Sequence, residues 1–138
     1  MLRLIPTILV ICATILPAQA QQSPGPQPLA SAIDAAGDRD WDRAAQLAAR
    51  AGGPVAEDII EWMRLRAGKG SAEEVMGFLG RRADWPGLSL LRKRSEEAMK
   101  DAPRDQVIAF FEAEPPQTGA GLLAFTAALN DAGRAGEA

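Results

Sequence analysis

The sequence has no histidine and no tyrosine, and its single cysteine is Cys12. Imidazole-based triads, His/Cys zinc clusters, cysteine nucleophiles and disulfide frameworks therefore lack their parts. Basic charge is not in excess either. Fifteen Lys and Arg stand against 18 Asp and Glu for a formal net charge of -3, so the basic surface of a nucleic-acid binder is missing. What the chain does have is 138 residues, 47% of them apolar, which suits one soluble domain and leaves no room for two independent cores.

The long hydrophobic run lies at the start. Arg3 supplies a short positive region, Ile8 to Leu16 an apolar stretch, and Ala18-Gln19-Ala20 the small-x-small pattern that precedes cleavage. Residues 1–20 are therefore expected to be a signal peptide for export to the periplasm, with the mature chain beginning at Gln21. Pro6 and Pro17 interrupt the run, which falls short of the roughly 20 apolar residues of a spanning helix, so no stable transmembrane anchor is expected. Cys12 sits inside the apolar stretch behind Ile11 and does not read as a lipoprotein cysteine. Cleavage would remove it together with Arg3, leaving a thiol-free, acidic product held together by helix packing alone.

Residues 21–28 hold Pro24, Gly25, Pro26 and Pro28 among polar neighbours and read as a flexible Pro-rich leader. From 29 to 138 the apolar residues recur at three- and four-residue spacing, which predicts an all-α domain. Punctuation places its helices. The first spans Leu29 to Ala36 and stops at Gly37; the second spans Trp41 to Ala51 behind an Asp40 N-cap, burying Ala44, Leu47, Ala48 and Ala51. Pro54 starts a third, facing inward with Val55, Ile59, Trp62 or Met63, and the stem of Arg66. Ser71 and Glu74 form a capping box for a fourth that buries Val75, Met76 and Leu79. Asp84-Trp85-Pro86 opens a fifth with Leu88, Leu91, Ser95 and Met99 inside, and Pro103 a sixth with Val107, Phe110 and Phe111. A seventh begins near Thr118 or Gly119 and presents Leu122, Phe125, Ala128 or Leu129, and Ala132. Short turns between six or seven antiparallel helices predict an α-superhelix or solenoid, with helix pairs recurring about every 30 residues near Asp40, Ser71 and Pro103. A closed helical bundle is the alternative, and the tetratricopeptide consensus is not met.

No active site emerges from these residues. Asp38, Asp40 and Asp42 fall at a turn and a helix start, where capping explains them. Glu57 and Glu61, Asp58, and Glu96 with Glu97 read as solvated surface. Arg81, Arg82, Arg92, Lys93 and Arg94 flank Trp85 as two basic clusters and read as solubilising, although they could meet anionic groups. Trp41, Trp62 and Trp85 read as packing residues rather than sugar platforms. The carboxylates lack calcium-loop spacing and the glycines form no phosphate cradle, so no catalytic residue, metal ligand or cofactor is assigned.

One stretch carries a resemblance. Residues 82–98, Arg82-Ala-Asp-Trp-Pro-Gly-Leu-Ser-Leu-Leu-Arg-Lys-Arg-Ser-Glu-Glu-Ala, resemble the N-terminal superhelical region of bacterial soluble lytic murein transglycosylases. The early Asp40-Trp41-Asp42-Arg43-Ala44 helix, Ile60 to Arg66, Val107 to Phe111 and the Thr118-Gly119 turn before Leu122 extend it over most of the mature chain. The Trp85-Pro86 block is its most specific part. The resemblance implies a curved support for a separate lysozyme-like domain, whose Glu protonates the MurNAc-GlcNAc β-1,4 bond while the muramic acid 6-hydroxyl closes a 1,6-anhydro ring. That catalytic domain carries Glu followed by Ser and a downstream Gly-Leu-Met-Gln segment. Here Glu96 and Glu97 are followed by Ala98 and no Gly-Leu-Met-Gln occurs, so no catalytic residue carries over. The resemblance thus leads us to expect the noncatalytic first part of a longer enzyme, meeting peptidoglycan glycan strands through a domain outside this chain. The other expectation is a free-standing periplasmic adaptor that binds envelope proteins between its helices.

Overall fold

The computed structural model describes residues 27–137, without the side chain of Glu137. The expected signal peptide and most of the Pro-rich leader lie outside the described residues. Seven α-helices follow one another: α1 (Gln27–Gly37), α2 (Trp41–Ala51), α3 (Pro54–Arg66), α4 (Ala72–Arg81), α5 (Leu88–Ser95), α6 (Arg104–Ala113) and α7 (Gly119–Asp131). A 3-10 turn runs on from α5 over Glu96–Asp101, and a shorter one, Ala135–Glu137, follows α7. The fold is all-α, with no strand among the described residues.

The chain's own punctuation sets most of these limits. Asp40 Oδ1 accepts from the Arg43 N–H at 3.1 Å and starts α2. Ser71 and Glu74 cap α4 reciprocally, Ser71 Oγ accepting from the Glu74 N–H and Glu74 Oε2 accepting from the Ser71 N–H. Thr118 caps α7 through the Gly121 N–H, and Pro103 precedes α6. Two starts differ from the sequence reading. Helix α1 begins at Gln27, with Pro28 in a first turn that needs no backbone donor. Helix α5 begins at Leu88, not at Asp84-Trp85-Pro86. Gly87 takes a left-handed φ of 70°, which breaks helical continuity, and the Pro86 carbonyl accepts from Trp62 Nε1 at 3.0 Å.

Two cores lie side by side. The first is nearly all alanine, Ala32, Ala35 and Ala36 of α1 meeting Ala44, Ala48, Ala56 and Ile60, and side chains this small let helix axes approach closely. The second is built from Leu65, Phe78, Leu91, Met99, Phe110, Phe111 and Leu129 with smaller neighbours. Helix α3 serves both. Ala56 and Ile60 face the first core and Leu65 the second, so its buried face is rotated from the expected one and Val55 is left exposed. Leu122 is likewise exposed, since α7 turns Gly121 inward in the same turn, while Ala128 and Leu129 are buried as expected. The expected inward residues Leu91, Ser95, Met99, Val107, Phe110 and Phe111 are buried.

Most helices pack on their neighbours in the chain, α1 on α2 most extensively, followed by α2 on α3 and α6 on α7, whereas α4 touches α5 only lightly. Between helices further apart in the chain, α3 packs on α5 and α1, and α7 on the 3-10 extension of α5.

Candidate functional site

Among the described residues, two buried carboxylates, Glu96 and Asp58, decide what chemistry the fold can offer. Glu96, only 2% exposed, sits at the junction of α5 with its 3-10 extension. Its oxygens accept from the Gln117 N–H at 2.7 Å, the Thr118 N–H at 2.8 Å and the Thr118 hydroxyl at 2.5 Å. Negative charge there also meets the N-terminus of α7, where the helix dipole favours it. Glu96 therefore ties α5 to the loop before α7, and reading it as solvated surface is corrected. Its donors lie more than twenty positions away in sequence, so no local pattern marks it.

Asp58 corrects the sequence reading in the same way. It is 6% exposed on α3 and accepts from Arg82 Nε at 2.7 Å and from Arg82 Nη2, with Arg81 Nη2 at 3.7 Å. The basic clusters accordingly do more than solubilise. Arg82 lies 5.4 Å from the Trp85 ring, while Arg92 donates to the Phe110 carbonyl at 3.0 Å and rests over the Phe110 ring. Trp62 and Trp85 pack against the second core and Trp41 against the first, as the packing reading expects. Glu97 is exposed beside Lys100, in keeping with a surface residue.

Two open grooves among the described residues have linings that bear on catalysis. The first, about 500 Å³, is lined by Trp41, Asp42, Glu57, Ile60, Glu61 and Arg64, with Glu74 at its edge. An aromatic ring beside several carboxylates has the composition of a glycan cleft. A glycosidic general acid, however, needs a carboxyl group set in apolar surroundings so that it keeps its proton near neutrality. Asp42 and Glu57 are exposed, Glu61 bonds Arg81 at 2.6 Å, and Glu74 bonds Arg64 at 2.6 Å. The Arg64 guanidinium and the Ser71 N–H hold the Glu74 carboxyl below its ordinary range. This groove has no suitable proton donor.

The second groove, about 490 Å³, runs between the 3-10 extension and α7. Met99, Val107, Ala124 and Ala128 form its floor, and Lys100 and Asp131 stand at its rim. Leu123, 74% exposed, borders it, and Leu122 beside it is 55% exposed. An apolar floor with a mixed-charge rim suits contact with another chain better than bond cleavage. Among the described residues, no cluster of three or more Asp, Glu, His or Cys side chains is placed to hold a metal ion, and no helix is long and apolar enough to cross a membrane. Comparison of the chain with protein-family models, with curated proteins and with solved structures finds no match.

Proposed function

We propose that this chain is a noncatalytic α-superhelical scaffold in the periplasm, serving a lytic transglycosylase domain that cleaves peptidoglycan. The observation that carries the noncatalytic part is the use of its carboxylates. Glu96 and Asp58 are committed to donors of the chain itself, and the groove carboxylates are exposed or paired with arginine. The superhelical part is supported by the packing of most helices on their chain neighbours, with α1 on α3, α3 on α5 and the extension of α5 on α7 carrying the contacts along the series. Even-numbered helices lack comparable packing on one another, which would bend such a stack toward its odd-numbered side. The peptidoglycan part rests on the resemblance around Trp85-Pro86.

A second reading, a free-standing adaptor for an envelope protein, is favoured by the exposed pair Leu122 and Leu123 beside the apolar groove of α7. Pull-down on immobilised residues 21–138 separates the two. The scaffold reading expects the chain to retain a separately produced lysozyme-like transglycosylase domain at physiological salt. A chain that leaves that domain in the flow-through and retains a noncatalytic envelope protein instead contradicts it and supports the adaptor.

A further inference from the structure

At the edge where the ends of α1, α3 and α5 meet, Arg39, Arg66, Lys69 and Arg94 surround one pocket of about 230 Å³, walled by Trp41 and Ala67. We propose that this pocket binds a phosphoryl group, as free phosphate or as the phosphate of a small sugar ester. Each cation comes from a different point of the fold. Arg39 follows α1, Arg66 closes α3, Lys69 lies in the next turn and Arg94 is in the last turn of α5. The Gly68 backbone brings the end of α3 against the end of α5, since a Cβ at Gly68 would lie 3.2 Å from the Arg94 carbonyl oxygen.

Four of the seven described cations without a carboxylate partner converge on this one pocket, whereas the other three, Arg43, Arg50 and Lys93, do not line it. Arg64, Arg81, Arg82, Arg92, Lys100, Arg104 and Arg134 each have a carboxylate partner. Arg39, Arg66, Lys69 and Arg94 form no ion pair among the described residues. No carboxylate lines the pocket. Asp38 and Asp40 flank Arg39 in sequence, but Asp40 Oδ1 is engaged by the Arg43 N–H. Cations are favourable at helix C-termini, where each helix contributes roughly half a negative charge. Three such ends offset only part of four full positive charges.

The Arg66 guanidinium is held in place by its neighbours, 4.4 Å from the Trp62 ring centre and close against Gly87, where a Cβ would lie 3.6 Å from its Cζ. Arg39 is held nearby with a φ of 64°, a conformation uncommon for a residue with a side chain. A carboxylate would leave most of the charge uncompensated. A phosphoryl dianion matches it better and presents several oxygens to guanidinium forks. The half-buried Trp41 offers an apolar wall against which a sugar ring could rest.

Calorimetry and amide chemical-shift mapping on the mature chain, with inorganic phosphate, glucose 6-phosphate and glucose as probes, test the site. Both phosphorylated probes are expected to bind and to weaken as salt rises, with shifts centred on Arg39, Ala67 to Lys69 and Arg94, while glucose gives none. Tighter binding of glucose 6-phosphate assigns the sugar ester, and equal or tighter binding of phosphate assigns the free ion. Lys69→Gln with Arg94→Gln, both exposed side chains, is expected to weaken binding by about tenfold or more. Arg50→Gln with Lys93→Gln, unpaired cations elsewhere, is expected to leave it unchanged. No binding of either phosphorylated probe up to about 10 mM overturns the proposal. Shifts spread over the surface, or equal weakening by the two double variants, overturn it as well.

Discussion

Glu96 joins two parts of the chain through three part-buried donors, and removing its carboxylate leaves them without that acceptor and the loop before α7 untied. Glu96→Ala is expected to destabilise the fold by about 3 kcal/mol in urea unfolding, and Glu96→Gln by less because one amide oxygen remains to accept. Gly121 belongs to the same unit. A Cβ there would fall 2.2 Å from Glu96 Oε2, which explains a glycine in the first turn of an otherwise alanine-rich helix. Gly121→Ala should cost about 2 kcal/mol alone and clearly less in the Glu96→Ala background, a coupling that a double-mutant cycle measures directly. Equal costs in both backgrounds would show that the two positions do not share space. None of this was legible in the sequence. Glu96 stands beside exposed Glu97 in a run of charges, and Asp58 stands between polar Glu57 and Glu61; only distant donors distinguish them.

Helix limits were far more readable, because caps, proline and paired glycine act through neighbours in the chain. The Ser71-Glu74 box is present as expected, and Ser71→Ala should cost about 1 kcal/mol. Arg64 and the Ser71 N–H lower the Glu74 carboxyl below its ordinary value of 4.5. A carboxyl depressed on folding adds stability above its unfolded value, and that contribution is lost as pH falls through the folded value. The stability difference between the native chain and Glu74→Gln should therefore be constant near neutral pH and shrink below about pH 4.5. A gap that widens in acid would contradict the assignment. Buried faces are legible in α2, α5 and α6 and misread in part of α3 and α7. Leu91 is fully buried where the sequence reading places it, and Leu91→Asp should lower stability by several kcal/mol in a thermal melt. Val55 and Leu122 were assigned inward because periodicity alone cannot fix the phase of a helix that two cores share or that a distant glutamate orients. The start of α5 was missed for a similar reason, since Trp62 engages Pro86 from another helix.

At the scale of the molecule, the all-α class follows from composition and periodicity, whereas the spacing of Asp40, Ser71 and Pro103 marks helix starts without giving the pairing, since α2 packs most extensively on α1. The grooves could not be anticipated, because each draws its lining from elements far apart in the chain. On the proposed reading these helices bear and position a partner domain and do not cut. The chain's carboxylates are either engaged within the fold or exposed to solvent, so Glu57→Gln should change neither stability nor any action on peptidoglycan. The most direct measurement is the analysis of soluble products by mass spectrometry after prolonged incubation of residues 21–138 with purified sacculi. The expected result is no 1,6-anhydromuropeptides above a protein-free control. Their release by the native chain, and its loss in Glu57→Gln or Glu61→Gln, would contradict the account and make the groove beside Trp41 an active site.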